Sequence, residues 1–134
     1  LVLAGLLAAV AAPRVLNQQA FRTHASAADV RAALRYARKL AVTKNRDVCV
    51  GITATGVALS LNPLATPGAA CTQAVLRPGA GDPYVINPPP GIGILPAMGF
   101  RFDAQGRPNP NVPINLTVGG SAPIVVARET GRVQ

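Results

Sequence analysis

One histidine, two cysteines and five acids are all that 134 residues offer to acid–base, nucleophilic or metal chemistry. Structural zinc sites and iron–sulfur clusters ordinarily draw four ligands from Cys and His, and this chain has only His24, Cys49 and Cys71. A cysteine nucleophile needs an imidazole within reach. His24 lies far back on a segment that reads as helix, away from either cysteine. Asp103 and Glu129 could be taken as paired carboxylates, but each falls in a turn, where Asp in particular caps backbone amides. These residues argue against catalysis, and no metal, cofactor or small-molecule substrate is expected.

The remaining chemistry is pairing and charge. Cys49 and Cys71 are 22 positions apart. A bridge would suit an extracytoplasmic chain and add about 3 kcal/mol in the loop-entropy picture; two free buried thiols are the alternative. Lys and Arg number 13 against five acids, a net charge of +8. Eight of the 13 lie in residues 1–46, opposed there only by Asp29. Such asymmetry suits an anionic partner. Arg31, Arg35 and Arg38 repeat at i, i+4, i+7, either a solvated helix face or one turned to anionic headgroups or acidic neighbouring subunits. Arg107, Arg128 and Arg132 lie at or beside turns and are candidate DNA or anion contacts. Aromatic residues are only 4%, which leaves little for stacking on bases.

The elements that must position these groups can be read from pattern. Residues 1–12 are uniformly apolar, too short alone to span a bilayer. They read either as the tail of a signal peptide or as the lower part of a longer hydrophobic helix. After Pro13, Ala27, Val30, Leu34, Ala37 and Ala41 recur at helical spacing, and no Gly or Pro interrupts residues 14–50. The pattern predicts one near-continuous helix over residues 1–44, kinked at Pro13 and stopped at Lys44-Asn45-Arg46. At 1.5 Å per residue it would be roughly 65 Å long, too long for a globule of this size to bury, so its N-terminal part should project.

From Asp47 the period becomes two. Val48, Val50 and Ile52 pair as a hairpin with Val57, Leu59 and Leu61 through Thr53-Ala54-Thr55-Gly56. A Pro/Gly-rich stretch over 62–99 should hold short strands near Ala74–Leu76, Tyr84–Ile86 and Ile92–Leu95. Strands Phe100–Asp103, Ile114–Val118 and Ile124–Val126 follow. The fold class is α+β: a long N-terminal helix whose C-terminal half packs on a small antiparallel β-rich domain.

The helix end Ala33-Leu34-Arg35-Tyr36-Ala37-Arg38-Lys39-Leu40, then Asn45-Arg46-Asp47-Val48-Cys49-Val50, resembles the type IV pilin-like minor pilins and pseudopilins of the GspH/FimT family. Two C-terminal stretches, Phe100-Arg101-Phe102-Asp103-Ala104-Gln105-Gly106-Arg107-Pro108 and Ile124-Val125-Val126-Ala127-Arg128-Glu129-Thr130-Gly131-Arg132-Val133, are similar to that family's two signatures. The resemblance covers nearly the whole chain and is weakest over 62–98. It implies a structural subunit of a type IV pilus or type II secretion pseudopilus. Such a subunit is held in the bacterial inner membrane by one apolar helix, with its globular domain in the periplasm.

On that reading residues 1–27 are the projecting half of the helix and 28–134 the globular domain. Leu1, Leu3, Leu6, Leu7, Val10 and Val15 would exchange lipid for the helices of other pilins. The family's mature chain starts with a methylated Phe followed by a Glu. Matching Pro13 to its helix-kinking proline implies about nine mature residues and a leader before Leu1. DNA-uptake members carry a C-terminal Gly-Arg-x-Arg. Here Gly131-Arg132-Val133-Gln134 matches it with Gln134 in place of the second Arg, which implies weak DNA binding at most.

Overall fold

The computed structural model describes the backbone of residues 2–134 and the side chains of Gln18 and residues 20–134. Among the described residues a single helix, α1 (Val2–Lys44), is followed by nine short strands. These are β1 (Val48–Thr53), β2 (Gly56–Leu61), β3 (Gln73–Ala74), β4 (Val85–Ile86), β5 (Ile94–Leu95), β6 (Met98–Phe102), β7 (Pro108–Asn109), β8 (Ile114–Val118) and β9 (Ile124–Val126). Pro13 lies within α1, but its side chain and those of Leu1, Leu3, Leu6, Leu7, Val10 and Val15 lie outside the described residues. Among the described residues no helix is long and apolar enough to cross a membrane.

The helix ends as its sequence predicts. Asn45 takes the left-handed conformation at φ 54°, the Asn45 N–H donates to the Val42 carbonyl and the Arg46 N–H reaches back to Ala41. That is the Schellman arrangement, which satisfies carbonyls the last turn would leave open. Only three residues separate the helix from β1, so the chain reverses directly from helix into sheet.

Two antiparallel sheets carry the strands. The larger runs β3-β2-β1-β6-β7, with β4 also paired to β2; the smaller runs β5-β8-β9. Val48, Val50 and Ile52 stand opposite Leu61, Leu59 and Val57 on one side and Phe102, Phe100 and Met98 on the other. Alternation puts one face of β1 in the core, where Val48 and Val50 are buried against the helix stripe Ala27, Val30, Ala33, Leu34, Ala37 and Ala41. The smaller sheet adds Ile94, Ile114, Leu116, Val118, Ile124 and Val126 to the same core. Among the described side chains of α1 the buried positions begin at Ser26 and Ala27, while Phe21, 73% exposed, lies outside the sheet's cover.

The loop strands are shorter or shifted relative to the sequence expectation. Pairing covers Gln73–Ala74, Val85–Ile86 and Ile94–Leu95, and Leu76 makes only an isolated bridge to Pro83. The strand expected at Phe100–Asp103 begins earlier, at Met98, because Gly99 and Met98 continue the pairing with Gly51 and Ile52. It ends before Asp103, which turns the chain. The edge strand β7 was not expected, since Pro108 has no N–H to give a ladder; at a sheet edge none is required.

Cys49 on β1 is bonded to Cys71, with the Cα atoms 6.2 Å apart. The bridge ties the 62–71 loop to the central strand. Asp47, 4% exposed, holds the same loop. Its Oδ2 accepts from the Gly68 N–H at 2.8 Å and from Arg101 Nη1 at 3.1 Å, and the same nitrogen donates to the Ala69 carbonyl. Asn62 completes the clamp: its backbone N–H donates to the Asp47 carbonyl and its side-chain amide to Thr66. A buried carboxylate is tolerated here because a cation and an amide both meet it.

Candidate anion-binding cleft

The two stretches that resemble family signatures form two turns, and the turns meet. In the first, Asp103 Oδ1 accepts from the N–H groups of Gln105 and Arg107, and Gly106 donates to the Asp103 carbonyl. In the second, the Ala127 N–H donates to Arg132, and Gly131, at φ +72°, donates to Ala127. A Cβ built on Gly131 would stand 1.7 Å from the Gly106 carbonyl oxygen. Backbone therefore lies on backbone at this point, and only glycine permits the approach.

Beyond the second turn the chain returns along β9. Val125 and Gln134 exchange both backbone hydrogen bonds, and Val126 bridges Val133. The helix then grips this returning segment. Arg38 Nε donates to the Thr130 carbonyl at 2.9 Å, and Arg35 Nη2 to the Val133 carbonyl at 3.3 Å. The two arginines, one helical turn apart, thus use one N–H each to close the outer edge of the smaller sheet.

Between helix and edge lies an open cleft of about 440 Å³, lined by Arg35, Arg38, Arg132, Val133 and Gln134. The sequence trio Arg107, Arg128 and Arg132 does not assemble as such. Arg132 joins the helix pair. Arg128 is ion-paired with Glu129 at 3.0 Å, and that hydrogen bond holds the exposed Glu129 carboxyl below the usual range. Arg107 is exposed on a turn that abuts Gly131, but it does not line the cleft. Arg35 and Arg38 were legible in sequence only as part of a helix stripe; their meeting with Arg132 is a tertiary event.

None of the five acids lines the cleft. Asp47 meets Arg101, Asp82 lies 3.7 Å from Arg77, Glu129 meets Arg128, and Asp103 closes its own turn. Asp29 lines a separate groove of about 380 Å³ with Arg77 and Tyr84. There Tyr84 stacks on Tyr36 at 5.4 Å, and Arg77 covers its ring. Burial pushes the Tyr84 phenol up, against the pull of the Arg77 charge. Among the described residues no three His, Cys, Asp or Glu side chains gather as a metal site would require.

A long helix laid by its C-terminal half across antiparallel sheets is the type IV pilin-like fold. It is shared with the minor pilin FimU of Pseudomonas aeruginosa at TM-score 0.59 and 18% identity, over 87% of this chain and 89% of that one. A second crystal form of FimU gives 0.55 and 16%, over 83% and 90% of the two chains. The minor pseudopilin EpsH of the Vibrio cholerae Type 2 Secretion System gives 0.62 and 12%, over 84% and 94%. No protein-family model matches this chain, and no curated protein matches it in sequence.

Proposed function

We propose that this chain is a structural minor pilin or pseudopilin, anchored in the bacterial inner membrane and assembled into a type IV pilus or a type II secretion pseudopilus. The observation that carries the reading is the helix: α1 runs 43 residues, and among its described side chains the first buried one is Ser26, with Phe21 exposed. A helix of this length in so small a domain, preceded in sequence by Leu1 and carrying Leu3, Leu6, Leu7, Val10 and Val15 in its first turns, suits lipid first and neighbouring helices afterwards. On this reading residues 28–134 form the periplasmic domain, residues 1–27 enter the filament core, and the partners are other pilins. FimU, a type IV minor pilin, and EpsH, a minor pseudopilin, share the fold and support the same role. Within it we favour an MSHA-type pilus. Cys49 and the Glu129-Thr130-Gly131 turn, in their sequence setting, are similar to the MSHA biogenesis minor pilin MshC.

The division of labour along the helix is testable with two substitutions. Leu34 is fully buried, so Leu34→Asp places an unpaired charge in the core and should cost several kcal/mol. Leu3→Asp should leave the melting temperature of the folded domain unchanged but abolish membrane retention and incorporation into filaments, since an aspartate in mid-bilayer costs about 3 kcal/mol. A Leu3→Asp variant that unfolds as readily as Leu34→Asp, or that is retained and assembled normally, contradicts the assignment.

A DNA-binding role in uptake is the second reading, favoured by the three arginines of the cleft. It extends only to weak, salt-sensitive contact, because Arg128 is neutralised by Glu129 and Gln134 stands where the uptake motif has its second Arg.

A further inference from the structure

We propose that the cleft formed by Arg35, Arg38 and Arg132 receives acidic side chains of a neighbouring protein subunit. The proposal rests on reading the chain as a filament subunit, and it names a surface and a chemistry by which one neighbour is recognised. Three arginines line one cleft, and no Asp or Glu side chain lines it. Like charges gathered with no acidic side chain among them raise the local potential and draw an anion.

The cleft is also preorganised. Each guanidinium has five N–H donors. Arg35 and Arg38 use one each on the carbonyls of Val133 and Thr130, which fixes their planes and leaves the other donors for a ligand. Among the described residues the Arg132 side chain donates no hydrogen bond, and its backbone is held by the Thr130 hydroxyl and by pairing with Ala127. Tethered forks lose little freedom on meeting a planar carboxylate, which they can grip through two donors at once.

The size and lining select among anions. About 440 Å³ lies at the lower end of what small ligands occupy, but Val133 is the only apolar side chain in the wall, so an apolar small molecule is poorly served. No aromatic residue lines the cleft to stack a base, and Tyr36 and Tyr84 are committed to each other. A duplex must also be met by a run of cations along its backbone, and Arg128, the next arginine toward β9, is already paired. One or two Glu or Asp side chains projecting from an adjacent subunit fit these limits.

The test is an NMR titration of the full chain in neutral detergent micelles, following the arginine Nε–Hε signals. The probes are an acetylated hexaglutamate peptide, a short DNA duplex and inorganic phosphate. The peptide should shift Arg35, Arg38 and Arg132 together, with a dissociation constant below about 1 mM at low salt. Arg132→Gln removes a side chain that holds nothing else, so it should keep the fold while weakening the peptide by roughly five- to tenfold; Arg128→Gln should change it less than about twofold. An unchanged melting temperature of Arg132→Gln checks the first point. The proposal is overturned if the three signals stay fixed at saturating peptide, if Arg128→Gln weakens binding as much as Arg132→Gln, or if the duplex or phosphate binds the same arginines more tightly than the peptide. Any of these leaves the filament reading standing, because membrane retention of Leu3→Asp reports on that separately.

Discussion

Replacing Gly131 with alanine should be far more damaging than replacing Gly79, although the two residues share a backbone conformation. Gly79 sits at φ +75° with nothing within 4 Å of a built Cβ, so Gly79→Ala isolates the strain of a left-handed alanine. That strain is about 1–2 kcal/mol, less about 0.5 kcal/mol for the stiffer unfolded chain. Gly131 sits at φ +72°, and its Cβ would fall 1.7 Å from the Gly106 carbonyl oxygen. No side chain can swing away, because the obstacle is backbone. The two turns must separate, with a packing cost of about 1–3 kcal/mol. Separation also strains the Arg38 hydrogen bond to Thr130, worth about 1 kcal/mol. Gly131→Ala should therefore cost about 3–5 kcal/mol and Gly79→Ala about 1 kcal/mol. The chain has no Trp, so tyrosine fluorescence reports unfolding cleanly in a denaturant titration with matched slopes. Equal midpoints for the two variants would show that the turns do not bear on each other, and would remove the basis for placing Arg132 beside the helix.

Three further outcomes are expected. Mass spectrometry of the non-reduced chain should find no free thiol, and the paired Cys49→Ser, Cys71→Ser variant should lose about 3 kcal/mol; a detectable free thiol in the native protein contradicts the bridge. Asp47→Ala should cost about 3–5 kcal/mol by leaving Arg101 and the Gly68 amide unmet, and should speed proteolysis within residues 62–71 over the rest of the chain; uniform proteolysis would refute the clamp. Tyr84 has its folded pKa raised, first by burial, so its neutral form contributes stability that is present below the ordinary tyrosine range and lost as pH rises through it. Melting temperatures between about pH 8 and 11 should fall more steeply for the native chain than for Tyr84→Phe, and parallel profiles would count against it.

Local signals survived into the structure where they were complete in themselves. Asn45, after a basic last turn, is a helix stop wherever the chain goes next, and it stops α1. Val48, Val50 and Ile52 carry their face with them by alternation, so the two strands of the central hairpin and the turn between them were legible. Gly106 and Gly131 were legible as turn formers. That they touch was not, because nothing within either turn encodes the other, 25 positions away. The cleft was hidden for the same reason. Arg35 and Arg38 belong to a helical repeat and Arg132 to a turn motif, and only the return of residues 132–134 along β9 brings them to one place. Asp47 gave no signal either, since a lone acid between helix and strand looks like any solvated boundary residue until the 62–71 loop folds over it. Residues 62–99 were the least legible, because their two-residue strands owe their pairing to the sheet they join rather than to a pattern of their own.

The brevity of the link between α1 and β1 has a mechanical meaning. On the proposed filament reading, a load on the helix cannot spread through a slack loop: three residues carry it into the strand at the middle of the larger sheet. β1 is flanked by β2 along its whole length and by β6 over all but its last residue, and the Cys49–Cys71 bond adds a covalent strut from the same strand to the loop beside it. Tension is thus divided among the best-supported parts of the domain. The short peripheral strands β3, β4 and β7 lie off that line of force, so on the same reading the surface they form could vary in sequence and shape without weakening that route.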